Sequence, residues 1–226
     1  MKRLTPTPLL AAPALSGLLL AAPLLLSAPL ALAQSVSSPY TAKLGLTRYD
    51  THSRTTGISG VGLPAGADAR TGDASTAIFV VERELWPNIG LELVLGVPPK
   101  IKAQATGSVA FLGEVMSSRN VAPTLLLNYH FGQVGDRWRP YVGAGINYTR
   151  FTQIRNPFGW KVSLSDSVGP VLQAGIDYAL SPRWGLFASV AALKVESDLV
   201  ASGATVLQTT IDFRPIVYSA GLAYRF

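Results

Sequence analysis

The chain has 226 residues, 19 of them Lys or Arg and 13 Asp or Glu, with two histidines and no cysteine. It therefore has neither disulfides nor a thiolate metal site, and its basic residues are scattered where nucleic-acid binding needs a concentrated stripe. Beyond residue 33 no apolar run approaches the ~20 residues of a spanning helix, which leaves open a membrane barrel with its weaker strand signal.

Residues 1–33 read as a cleaved signal peptide. Lys2 and Arg3 form a basic head, 9–30 are almost entirely Leu, Ala and Pro, and Ala31 and Ala33 are small residues at the two positions a signal peptidase reads. Pro13, Pro23 and Pro29 interrupt the stretch and no charged stop-transfer cluster follows, which argues against a membrane anchor. Cleavage after Ala33 is expected. It leaves 34–226 as one domain of 193 residues, with 17 basic and 13 acidic residues once Lys2 and Arg3 are gone.

The first predicted strand is 41–49, where Ala42, Leu44 and Leu46 alternate with Lys43, Gly45 and Thr47. In 76–85, less cleanly, Ala77, Phe79 and Val81 oppose Glu82 and Glu84. The segment 89–97 sets Ile89, Leu91, Leu93, Leu95 and Val97 against Gly90, Glu92, Val94 and Gly96. The pattern blurs in 123–131 and sharpens in 140–151, where Val142, Ala144, Ile146 and Tyr148 oppose Gly143, Gly145, Asn147 and Thr149. In 171–180, Leu172, Ala174, Ile176 and Tyr178 oppose Gln173, Gly175 and Asp177. After a less clean 184–194, the segment 216–226 sets Ile216, Tyr218, Ala220, Leu222, Tyr224 and Phe226 against Ser219, Gly221 and Arg225. Side chains of a strand alternate between faces, so these segments carry one apolar face and one small or polar face.

The connections alternate strictly: 25 residues (50–74), 3 (86–88), 24 (99–122), 8 (132–139), 17 (152–168), 3 (181–183) and 15 (196–210). A membrane barrel has short periplasmic turns and long external loops, whereas a soluble sandwich has no reason to keep this order. Aromatics point the same way. Tyr40, Trp86, Tyr129, Phe131, Trp138, Tyr141, Tyr178, Trp184, Tyr224 and Phe226 fall at strand ends or short turns, where a lipid–water girdle would sit. The expected fold is all-β, an eight-stranded antiparallel transmembrane β-barrel, too narrow for an aqueous porin. Its inward parity mixes Lys43, Glu82, Glu92 and Asp177 with Val80, Val94, Leu126 and Phe187, and Glu82 and Glu84 are expected to pair with Lys43 or Arg225. Pro98, Pro99, Pro123 and Pro170 lie where missing ladder donors could open the wall.

With the strands placed, PTLLLNYHFG (123–132) and RPYVGAGINYTRF (139–151) resemble the OmpW family of small outer-membrane barrels. The resemblance continues collinearly through NIGLELVLGVP (88–98), IKAQATG (101–107), QAGIDYAL (173–180) and SAGLAYRF (219–226). It implies a narrow apolar lumen that passes small hydrophobic molecules, with a lateral exit into the membrane. The site residues so implied are Val80, Val94, Leu126, Phe187 and Ala191 along the lumen. Gly221, Tyr224 and Phe226 resemble the signal read by the barrel-assembly machinery. Relatives narrow the lumen with bulky residues at positions matching Val94 and Ala191, and both are small here. Expected surroundings are outer-membrane lipid and lipopolysaccharide, the localisation is the Gram-negative outer membrane, and the barrel is expected to act as a monomer without a cofactor.

Other readings weigh less, with one left open. A dinucleotide loop at Gly143 and Gly145 would need a third glycine at Tyr148 and a helix after it, and the alternation runs on instead. An enzyme would need a histidine with a serine or carboxylate at the outer rim. His130 lies at the opposite rim, and His52, beside Asp50 and Ser53, reads as a solvated loop residue, so no catalytic residue is assigned. Asp68, Asp73, Asp166 and Asp198 lack ligand spacing, so no metal site is assigned. A receptor, adhesin or structural barrel acting through its external loops remains the alternative.

Overall fold

The computed structural model describes residues 39–51, 53–55, 64–202 and 206–226, with backbone alone for 53–55 and 206–208. The leader 1–33 and His52 lie outside the described residues. In chain order the described strands begin with β1 (Tyr40–Asp50), β2 (Ser53–Thr55), β3 (Ala67–Thr71), β4 (Ala74–Trp86) and β5 (Ile89–Gly96). Then come β6 (Lys100–Gly107), β7 (Glu114–Val121), β8 (Thr124–His130), β9 (Trp138–Arg155) and β10 (Lys161–Leu164). The last are β11 (Ser167–Ala179), β12 (Trp184–Leu193), β13 (Val195–Ser202), β14 (Val206–Phe213) and β15 (Ile216–Arg225).

Eight of these close a ring of antiparallel pairs, β1–β4–β5–β8–β9–β11–β12–β15 and back to β1. Each ring strand covers one of the eight predicted segments to within one residue at either end. Register brings the apolar parities together: Leu44 stands between Phe79 and Leu222, and all three are exposed on the outside. A surface of this kind suits lipid, where no water can satisfy an open edge, so the sheet must close on itself. The blurred segment 123–131 alternates cleanly in space, with Leu125 and Leu127 outward and Leu126 inward. Leucine suits both a lipid face and a packed interior, so its identity does not mark the face. At one short turn Asn88 takes φ 67°, a left-handed conformation that asparagine tolerates.

The long connections are not open loops. The structure folds most of their described residues into strands that carry the wall upward in two flanking sheets. One is β3–β6–β7, joined to the upper part of β9 through Val121 opposite Arg150 and Asn120 opposite Phe151. The other is β10–β13–β14–β2. This is why β9 runs past the predicted end at 151 to Arg155. It loses β8 at Asn147 opposite Thr124, bonds Pro123 O from Tyr148 N at 3.0 Å, and takes β7 as its next partner.

Candidate functional site

Inward side chains fall into two tiers. The tier at the short-turn end is built around Lys43, 1% exposed, which β1 points into the ring. Its Nζ lies 3.0 Å from Glu82, 3.2 Å from Asp177 and 3.5 Å from Glu92, and it stands over the rings of Tyr141 at 4.9 Å and Phe187 at 5.6 Å. His130 Nε2 lies 2.5 Å from Glu82 Oε1, and Gln173 Nε2 donates to Glu92 Oε1 at 2.9 Å. Charges inside a barrel are tolerated only when paired and hydrogen-bonded, and this network meets that condition across strands β1, β4, β5, β8 and β11. It fills the ring: a Cβ added at Gly143 would overlap the Asn128 amide, and one at Gly175 would overlap the Tyr141 ring.

The expected Glu82–Lys43 pair is present, but Glu84 takes Arg139 at 2.7 Å rather than Arg225. Arg139 is buried and points into the ring, so it reaches that carboxylate first. Glu82, His130 and Asp177 also bring three ligand atoms within 4.8 Å of one another, a donor set sequence spacing could not suggest because it spans three strands. Both carboxylates are already engaged by the Lys43 ammonium, which makes the trio part of an ion-pair plug.

Above the plug the interior turns apolar. Val80, Leu126, Phe187 and Ala191 are 2%, 1%, 4% and 9% exposed. Leu126 and Ala191 pack with Val171 and Val217, while Val80 and Phe187 pack with Ile78, and partly buried Val94 touches both groups. Val171, Val217 and Ile78 were missed from the sequence although they share the inward parity of Gln173, Ser219 and Val80.

Three cavities stack upward from here. The lowest, about 60 Å³, has Lys43 and Glu92 at its floor and Leu126, Val171 and Ala191 in its wall. It shares Tyr49, Ala122, Asn147 and Leu193 with a chamber of about 70 Å³ that also meets Phe151, Phe213 and Pro99. That chamber shares Ala103 and Met116 with an outer cleft of about 280 Å³ lined by Val109, Leu112, Phe158, Trp160, Val162 and Ile211. Asn147, shared by the two lower cavities, is satisfied inside the wall. Asn147 Nδ2 donates to Thr124 Oγ1 at 2.8 Å, and its Oδ1 accepts from Thr149 at 2.6 Å.

Beside the chamber the ladder is incomplete. β5 pairs β8 only as far as Val94 opposite Thr124, and just above come Pro98, Pro99 and Pro123, which have no N–H to donate. Asn120 N reaches Pro99 O at 3.3 Å across this seam. Pro170, by contrast, sits within β11 opposite Ile146 and accepts from Lys194 N at 3.2 Å, so it opens nothing.

At the short-turn rim Trp138 meets Tyr178 at 4.4 Å, Trp184 meets Tyr224 at 4.8 Å, and Tyr40 stacks on Phe226 at 6.0 Å. Tyr141 is the exception to the expected girdle. It has the inward parity of Gly143 and Asn147, is 2% exposed, and belongs to the plug. Gly221 sits in β15 against β1, and Tyr224 and Phe226 end the chain within the girdle.

Comparison with known proteins agrees with this geometry. The family model described as "OmpW family" matches residues 40–226. Outer membrane protein W of Vibrio cholerae serotype O1 is 33% identical over 147 residues, which is 62% of this chain and 68% of that protein. Outer membrane protein AlkL of Ectopseudomonas oleovorans is 29% identical over 171 residues, 75% of this chain and 73% of AlkL. The solid-state NMR structure of AlkL in DMPC bilayers superposes with a TM-score of 0.68 at 26% identity, covering 88% of this chain and 95% of AlkL. The crystal structure of OprG from Pseudomonas aeruginosa shares the fold at a TM-score of 0.78 and 23% identity, covering 84% of this chain and 96% of OprG.

Proposed function

The chain belongs to the OmpW family and resides in the outer membrane of a Gram-negative bacterium, and from that premise we propose that it passes small hydrophobic molecules across the polar outer surface. The observation that carries the reading is the stack of apolar cavities standing on a closed, charged plug. An apolar solute entering the outer cleft keeps apolar contacts down to Leu126 and Ala191, which avoids the desolvated crossing of the lipopolysaccharide layer. Below that level it would have to displace buried ion pairs, and breaking one leaves an uncompensated buried charge. The way out is then sideways. The proline seam between the top of β5 and the start of β8 lies against the middle chamber and supports a lateral exit into the membrane.

In this reading Val80, Val94, Leu126, Phe187 and Ala191 line the floor of the path. The small Val94 and Ala191 leave a wider neck than the bulky residues the resemblance implies for relatives. Gly221, Tyr224 and Phe226 serve the barrel-assembly machinery, residues 1–33 are removed on export, and a single barrel is the working unit. The proposal assigns the barrel no reaction.

The test is uptake of a small apolar solute by permeability-limited cells with and without the barrel. Faster uptake is expected. No change over an empty vector, with the barrel folded in the membrane, would favour a receptor or structural role instead.

A further inference from the structure

The outward face of the sheet made by β6, β7 and the upper part of β9 gathers cations that the sequence scatters between positions 100 and 155. Lys102 lies opposite Ser117, which lies opposite Arg155; one row nearer the barrel, Lys100 lies opposite Arg119, which lies opposite Thr152; below these, Val121 lies opposite Arg150. All five cationic side chains are exposed. Like charges directly opposite one another on a sheet repel, so the Lys100–Arg119 pairing costs stability unless an anion lies across it. Glu114 reaches this face and bonds Lys102 at 2.7 Å. The hydrogen bond from Lys102, together with the charges of Lys102 and Lys100, holds Glu114 below the ordinary carboxylate range. Among the described residues no carboxylate forms an ion pair with Lys100, Arg119, Arg150 or Arg155. Asp68 and Arg70 on neighbouring β3 add one charge of each sign.

The other flanking sheet is built differently. There Lys194 pairs Glu196 at 2.7 Å, Arg214 pairs Asp212 at 2.7 Å, and Asp198 accepts from Thr210. Among the described side chains this flank sets Lys161, Lys194 and Arg214 against Glu196, Asp198 and Asp212, so of the two flanks only the one built on β6, β7 and β9 has an excess of positive charge.

Its height is also defined. Arg150 is twelve residues up β9 from the girdle residue Trp138. At ~3.3 Å per residue and a tilt of ~40°, that places it on the order of 30 Å above the girdle, just past an apolar band of ~25 Å. The lipid-facing belt ends at this level, with exposed Ile146 four residues below on β9 and Val121 in the same row as Arg150. In the outer leaflet this is the level of the phosphorylated glucosamine heads of lipopolysaccharide. We propose that Lys100, Lys102, Arg119, Arg150 and Arg155 form a docking face for the lipid A phosphates of lipopolysaccharide. Arg119 Nη1 also donates to Pro98 O at 3.2 Å, so the docked lipid stands beside the proline seam. The proposal rests on the outer-membrane location and not on the transport reading, and either can fail without the other.

The experiment counts lipopolysaccharide molecules retained per barrel purified from outer membranes, by native mass spectrometry. It compares wild type, the triple variant K100Q/R119Q/R150Q, and the control K161Q/K194Q/R214Q on the other flank. The triple variant should retain roughly tenfold less, three exposed ion pairs each contributing modestly, and the control should match wild type. Equal retention by the triple variant, or equal loss in the control, overturns the proposal. A second measurement needs no variant: wild-type barrel in nanodiscs should prefer bisphosphorylated lipid A over dephosphorylated lipid A and over phosphatidylglycerol. Indifference to the phosphates would assign the contact to the acyl chains, and equal binding of phosphatidylglycerol would assign it to anionic lipid in general. Either result overturns the assignment.

Discussion

The two tiers of the lumen stand on the same strands and the same hydrogen-bond ladder, yet their side chains follow opposite rules. In the short-turn tier Lys43, Glu82, Glu92 and Asp177 are stable only as a complete set, because each buried charge depends on the others. In the tier above, Leu126, Val171, Ala191 and Val217 are held by contact alone, which depends on volume and tolerates change gradually. Alternation decides which parity faces inward and is blind to position along the axis. The outward face thus builds the barrel, and the axial order of the inward residues divides it into a closed base and an open, apolar upper half.

The largest effect should come from breaking the set. Lys43→Met removes the countercharge from the buried Glu82 and Glu92 and the half-buried Asp177 while roughly keeping the side-chain volume, and should cost about 3–5 kcal/mol. The denaturant midpoint in micelles should fall accordingly, and the unheated protein should lose its distinct folded mobility in gels. A Lys43→Met barrel as stable as wild type would mean that the plug is dispensable and the comparison mistaken.

Next in size is the neck of the upper tier. Ala191→Trp inserts an indole into a packed apolar group, an overpacking that costs about 1–3 kcal/mol. Uptake of a small apolar solute should fall several-fold while the barrel still folds. Unchanged uptake would remove Ala191 from the path. A smaller change is expected at Asn147→Ala, which deletes the hydrogen bonds to Thr124 and Thr149 where β9 changes partner. A loss of about 1–2 kcal/mol is the expected cost of leaving those groups unpaired, read as a modest shift of the same midpoint.

The eight ring strands were legible because a lipid face leaves an apolar residue at every second position, as in Val142, Ala144, Ile146 and Tyr148. β6 alternates too, with Lys100, Lys102 and Gln104 against Ile101, Ala103 and Ala105, but its outward face meets water and so lacks the apolar mark by which the ring strands were found. Tyr141 reads as a girdle residue because an aromatic at a strand start resembles the rim pattern, and only its parity points inward. Whether Glu84 would find Arg139 or Arg225 depended on registers between strands distant in sequence, which a single chain does not display. The cationic face was hidden for the same reason, since Lys100 and Arg119 become neighbours only through the β6–β7 pairing.

The smallest expected effect isolates burial as the cause of the difference between regions. Arg48 and Asp73 approach to 3.1 Å, against 3.0 Å for Lys43 and Glu82, so by distance the two ion pairs are equivalent. Their surroundings are not: the Arg48 side chain is 67% exposed and that of Lys43 is 1% exposed. An exposed pair gains little because water and salt screen it and two long side chains must be held still. Arg48→Ala should therefore shift stability by no more than about 0.5 kcal/mol, and the shift should vanish at high salt. The Lys43→Met loss should persist at the same salt, since ions do not enter a filled barrel. If the two substitutions cost the same, the plug would be an ordinary surface-type network wetted from the short-turn end, and apolar solutes would have no reason to turn aside above it.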